Sequence, residues 1–133
     1  MITDTLCLTL VVRDQDEALA FYTGKLGFEK RADYPIGAGQ RWLTVAPPAS
    51  HVVFVLQPPD WFQGEEQARL RAQIGLTPTL IFAVDDCRQT YEHLLAQGVE
   101  ILAPPANLGF GLQATCKDLY GNRLVFVEDQ RQR

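Results

Sequence analysis

Leu6-Cys7-Leu8-Thr9-Leu10-Val11-Val12 alternates its side chains; Asp14-Gln15-Asp16-Glu17 then opens a helix, and Gly27-Phe28 closes it. Leu6, Leu8, Leu10 and Val12 form one aliphatic face, which predicts a strand lying against the following helix. Cys7, Thr9 and Val11 form a smaller, more polar face that is expected to look onto something else, such as a cavity. Asp14 fits the N-cap and Glu17 the N3 position of a capping box. Leu19, Phe21, Tyr22 and Leu26 supply an apolar stripe, and Gly27 suits a left-handed C′ position followed by a hydrophobic residue.

The same pattern returns at an offset of 72. Leu80-Ile-Phe-Ala-Val84 runs into Asp86-Cys-Arg-Gln89 and a helix over about Cys87–Gln97 that ends at Gly98-Val99, with Tyr91, Leu94 and Leu95 inward. The offset pairs Cys7 with Thr79, Asp14 with Asp86 and Val53 with Val125. Gly27 pairs with Gly98 at 71, so the second helix is one residue shorter. After each helix three strands are expected: Glu29–Tyr34, Arg41–Ala46 and His51–Gln57 in the first half, and Glu100–Ala103, Leu112–Lys117 and Leu124–Glu128 in the second. Pro35–Gly39 and Asp118–Asn122 read as turns, the latter with glycine at its left-handed position, and Pro104–Gly111 reads as a loop.

The chain is therefore expected to be one α+β domain over residues 1–133: a first βαβββ module at about 1–58, a connector at about 59–76, a second module at about 77–128 and a polar tail at 129–133. The connector holds Trp61 and Phe62, then a polar segment around Glu65–Ile74 with helical spacing. Long connections often cover binding sites.

Composition excludes several functions. The 133 residues are 47% hydrophobic and 21% charged, with a net charge of -4, so no basic footprint for nucleic acid or anionic lipid exists. No apolar run reaches membrane-spanning length. Met1-Ile-Thr-Asp-Thr5 lacks the features of a signal peptide, and three cysteines without C-x-x-C spacing favour reduced thiols. A cytoplasmic location is expected on both counts.

Catalytic constellations are poorly supplied. His51 follows a Pro-Pro-Ala-Ser turn, and His93 lies within the second helix. Cys7 has no nearby partner in sequence that would lower its pKa. Gly37-Ala-Gly39 and Gly109-Phe-Gly111 lack the continuation of a phosphate-binding loop. Asp85-Asp86 reads as a helix start and Glu65-Glu66 as a solvated face.

Val12-Arg-Asp-Gln-Asp-Glu-Ala-Leu-Ala-Phe-Tyr22, Lys25-Leu-Gly-Phe28, Phe82-Ala-Val-Asp-Asp86, Leu94-Leu-Ala-Gln-Gly-Val99 and Asp118-Leu-Tyr-Gly-Asn122 together resemble the vicinal-oxygen-chelate superfamily. It includes glyoxalase I, bleomycin-resistance proteins, fosfomycin-resistance enzymes and extradiol dioxygenases. The resemblance covers nearly the whole chain. It implies two tandem βαβββ modules forming an incomplete eight-stranded barrel around a central cavity, with helices outside, and it implies a homodimer. Many members hold a divalent metal through His, Gln or Glu at four strand positions. Carried over, these fall at Cys7, Val53, Thr79 and Val125, a set without the nitrogen and carboxylate donors such a site requires.

The leading expectation is a binding protein for a small hydrophobic or aromatic molecule, with no cofactor, no metal and no catalytic residue. Its cavity is expected to be lined by Cys7, Thr9, Val53, Thr79 and Val125. Trp42, Trp61, Phe62 and Phe110 would border it, with Arg41, Gln57 and Gln113 as polar anchors. The alternative is a lyase, isomerase or dioxygenase with unusual metal ligands or metal-independent chemistry.

Overall fold

Asp14 and Asp86, the two capping residues marked by the repeat, begin equivalent helices. A computed structural model describes residues 1–109 and 111–129. Asp14 is extended (φ -146°, ψ 127°), and its carboxylate accepts the Glu17 amide at 2.8 Å, opening α1 (Gln15–Gly24). Asp86 does the same for Gln89 at 3.0 Å ahead of a second helix, Cys87–Ala96. Gly27, at φ 76°, turns the chain out of α1 so that the Phe28 amide donates back to the Tyr22 carbonyl at 2.9 Å. Phe28 is then buried against Tyr22.

The chain divides into two compact units, Met1–Gly75 and Leu76 onward. The first contains β1 (Cys7–Val11), α1, β2 (Glu29–Pro35), β3 (Arg41–Ala46) and β4 (Val53–Gln57). A 3-10 turn at Pro59–Trp61 and α2 (Gly64–Gln73) follow. Its sheet has the order β1-β4-β3-β2, with β1 and β4 parallel and the others antiparallel. The second unit contains β5 (Leu80–Ala83), the helix Cys87–Ala96 (α3), β6 (Ile101–Asn107), β7 (Gly111–Lys117) and β8 (Arg123–Asp129). Its sheet order, β5-β8-β7-β6, reproduces the first. The fold is α+β, built from two βαβββ modules, and the helical spacing in the connector is realised as α2.

Each sheet buries one face under its own helix. In the first unit Leu10, Val12, Leu43, Val45 and Leu56 are at most 1% exposed, and Ala18, Phe21 and Tyr22 of α1 are buried. Leu124, Cys116, Cys87 and Leu94 fill the same role in the second. No helix among the described residues is long and apolar enough to cross a membrane.

Several sequence expectations need correction. Leu6 lies outside β1 and is exposed, as is Leu8, so only Leu10 and Val12 of the aliphatic face are covered. In α1 the small Ala18 takes the innermost place, while Leu19 and Leu26 are half-buried. Leu95 is exposed, and Cys87 joins Leu94 beneath the sheet instead. Strand β6 continues through Pro104 and Pro105, which read as loop. The ladder tolerates them because β6 is an edge strand and its register shifts between Ala103 and Ala106, where missing amide donors cost nothing.

The offset between halves also drifts. Val12 donates to the Gln57 carbonyl, and Val84 donates likewise to Val127, so an offset of 72 on the first strand meets 70 on the last. Cys7 stands opposite Val53, but Val125 stands opposite Ile81, not Thr79. The structural counterpart of Val125 is Val55. One residue is lost at the helix end and one at the final turn, since Asp118–Asn122 is one residue shorter than residues 47–52.

The final turn of the second unit is tied by side chains. Asp118 Oδ1 accepts the amides of Tyr120 and Asn122, each at 2.9 Å, and Asn122 Nδ2 donates to Asp118 Oδ2 at 2.8 Å. The Asn122 carboxamide oxygen accepts the Thr77 amide at 3.0 Å, anchoring the chain ahead of β5.

The cysteines are free thiols, Cys7 half-buried and Cys87 and Cys116 buried. Burial, reinforced by Asp118, pushes the Cys116 thiol up to about 12, and burial with Glu128 also raises Cys87. A thiol raised in the folded state stabilises the fold below its ordinary value of 9.0 and loses that contribution as pH climbs from 9.0 toward about 12. At pH 8 iodoacetamide should therefore modify Cys7 alone in the native protein, with Cys87 and Cys116 reacting only in denaturant. Mass spectrometry of the peptides checks this, and native labelling of Cys116 would contradict it.

Candidate functional site

The face of each sheet that carries no helix is where the proposed lining residues collect, and strand alternation decides which of them reach it. In the first unit the registers build rows across the strands. Tyr34 stands beside Trp42, Ala32 beside Thr44, Thr44 beside Val55, and Val55 beside Thr9. Cys7 pairs with Val53 further along, and Val11 pairs with Gln57 at the other end. Cys7, Thr9, Trp42, Val53 and Gln57 therefore share the helix-free face. Cys7, Trp42, Val53 and Gln57 are half-buried, and Thr9 is exposed.

Arg41 is on the other face. Its guanidinium grips Asp33 of β2 through two bonds, Nε to Oδ1 at 2.7 Å and Nη2 to Oδ2 at 2.9 Å. Its Nη1 donates to Asp16 of α1 at 2.6 Å. The Arg41 hydrogen bond holds the Asp33 carboxyl well below the usual carboxylate range, helped by Lys30, and Asp33 and Asp16 raise the Arg41 guanidinium in return. Both cation and anions are partly exposed, so the network is worth little to stability. It does orient β3: with Arg41 tied to the helix side, Trp42 faces away.

An open pocket of about 480 Å³ lies around the β2–β3 hairpin, lined by Asp33, Tyr34, Pro35, Gly37, Gly39, Gln40 and Arg41. Gln40 Nε2 donates to the Trp61 carbonyl at 3.5 Å, a long bond that brings the 3-10 turn to the start of β3. Trp61 and Phe62 are half-buried, and the Phe62 carbonyl accepts Gln67 Nε2 of α2 at 2.7 Å.

In the second unit, Gln113 pairs with Val127, and Thr115 with Val125, on the helix-free face. Gln113 is half-buried, and Val125 is 9% exposed. Thr79 is exposed and precedes β5. Phe110 lies outside the described residues. His51 is exposed in the turn before β4, and His93 is exposed on α3.

Tyr34 escaped the sequence reading: strict alternation groups it with Lys30 and Ala32, and only the register shift between Lys30 and Ala32 puts Lys30 on the other face. With Trp42 beside it, it gives this face an aromatic pair at one end.

As a metal site the four carried-over positions do not fit. Val53 and Val125 have no lone pair, Thr79 is not beside Val125, and Cys7 faces a valine. Among the described residues no three His, Cys, Asp or Glu side chains gather as a metal ion needs.

Duplicated βαβββ units with these motifs define the glyoxalase/bleomycin resistance protein/dioxygenase superfamily. The chain belongs to it: the family model matches residues 6–126. It is 32% identical to the uncharacterized protein YetH of Bacillus subtilis strain 168 over 121 residues, 91% of this chain and 94% of that one. The solved structure of UcmS2 is 36% identical, with a TM-score of 0.85 over 97% of this chain and 100% of that one. TnmS3, described as an antibiotic binding protein from Streptomyces sp. CB03234, is 29% identical, with a TM-score of 0.80 over 97% of this chain and 98% of its own.

Proposed function

We propose that this protein binds a small, flat, hydrophobic or aromatic molecule on the helix-free face of its first unit, without a metal ion, and acts by sequestering it. The row Tyr34–Trp42 with Gln57 near its end carries the reading: two rings to stack on and one amide to fix orientation. The description of TnmS3 as an antibiotic binding protein supports the binding of a small molecule. Covering roughly 200 Å² of apolar ligand surface contributes about 5 kcal/mol, and ring stacking adds about 1 kcal/mol. A minimal tricyclic ligand should then bind with Kd on the order of tens of micromolar. Assembly as a homodimer in the cytoplasm belongs to the same proposal.

Elemental analysis of protein purified without chelator tests the metal-free part. Zinc, nickel, manganese and iron should all be substoichiometric. A full equivalent of any of them, lost on replacing Cys7, would contradict it.

A further inference from the structure

Gln15 opens α1, and its Nε2 donates to two carbonyls at once, Arg41 O and Leu56 O, each at 2.9 Å. These carbonyls immediately precede Trp42 and Gln57 in the sequence. The residue at the same place in the second unit is Cys87, which opens α3 and whose Sγ donates to Phe126 O, the counterpart of Leu56, at 3.8 Å. The neighbouring ladders differ in step with this exchange. Strands β7 and β8 are in register from Gly111↔Asp129 to Lys117↔Arg123 without a break. Among the described residues β3 and β4 are in register only at Thr44↔Val55 and Val45↔Phe54, and the pairing stops before Trp42 and Gln57. The long amide sits where the register pairing ends, and the short thiol sits where it continues.

We propose that Gln15 is a positioning residue: its carboxamide props β3 and β4 apart at the Trp42–Gln57 end, and the width of that gap selects a flat ring system that inserts edge-on between the two side chains. In a closed antiparallel ladder opposed Cβ atoms stand about 5 Å apart. A ring inserted between two side chains needs roughly 7 Å, twice a van der Waals contact. Closed strands exclude the ring and parted strands admit it. The ligand half of this inference rests on the binding function proposed above, whereas the strand-spacing half stands without it.

The test exchanges the two halves' residues. Gln15→Cys imports the residue of the second unit, and Gln15→Glu keeps the shape of the side chain but removes its donors. Proton NMR of the full chain should show no cross-strand Trp42–Gln57 NOE in the wild type and a clear one in Q15C, with slowed amide exchange at Trp42 and Leu43. Acridine, followed by tryptophan quenching, should bind Q15C at least tenfold more weakly, and Q15E should lose affinity as well. A purely structural role would lower Tm without bringing Trp42 and Gln57 together. A Trp42–Gln57 NOE in the wild type, or a folded Q15C that lacks one, overturns the proposal, as does a closed ladder that leaves a measurable acridine affinity unchanged. If the wild type does not bind acridine, the binding function fails, and the NOE pattern alone decides whether Gln15 is a prop. If Q15C does not fold, Gln15→Asn, one methylene shorter, replaces it: a Trp42–Gln57 NOE is again expected, and its absence from the folded variant again overturns the proposal.

Discussion

Asn122→Ala should lower the stability of the second unit by about 3 kcal/mol, read as a shift of its urea midpoint at unchanged m-value. Asn122 is 1% exposed, and its side chain makes two bonds that the rest of the turn cannot replace. Truncation leaves the Thr77 amide without its acceptor and takes the Asn122 donor from the Asp118 carboxylate, which is 6% exposed. Leaving buried polar groups unsatisfied costs more than the net value of the bonds themselves. Asn122→Asp should be no milder, because it sets a second carboxylate 2.8 Å from the first. A shift under about 1 kcal/mol for both variants would mean that water enters the turn and that Thr77 is not anchored there.

Trp42→Ala is expected to weaken binding of an aromatic ligand ten- to a hundredfold, equivalent to about 1.4–2.8 kcal/mol. Trp42 is the largest ring on the helix-free face, and Arg41, held by Asp33 and Asp16, keeps it turned that way. The double change Trp61→Ala with Phe62→Ala should weaken binding less, since the connector meets the start of β3 through one long Gln40 bond. Calorimetry with acridine ranks the three proteins. Equal affinities in wild type and W42A would remove this face from the site.

Much of the fold was legible because its signals are local. Asp14, Asp86, Gly27 and Gly98 each act through hydrogen bonds within a few residues, so the caps and the duplication could be read directly. The strand through Pro104–Pro105 could not, because proline is a breaker except on an edge strand, and edge position is a property of the finished sheet. The register of the last strand depended on a turn one residue shorter than its counterpart. That turn is held by Asn122 in one half and by Arg31, which donates to the Pro47, Pro48 and Ser50 carbonyls, in the other.

The site was legible only by strand parity. Alternation put Cys7 and Thr9 on one face, but nothing local told which of Arg41 and Trp42 would join them. The answer lies in Asp16 and Asp33, which are remote in sequence and close to Arg41 in space. Gln15 lies within the helix-opening stretch, which assigns it no role of its own. Its only signal was that cysteine holds the equivalent place 72 residues later, and that difference gains meaning once the two ladders are compared.

The most direct test of the central claim is a titration of the wild-type protein with acridine, followed by tryptophan fluorescence, once in excess EDTA and once with added zinc. Metal-free binding on the Tyr34–Trp42–Gln57 face predicts saturable quenching with the same Kd in both. Quenching that appears only with zinc, or none that saturates in either, would contradict it.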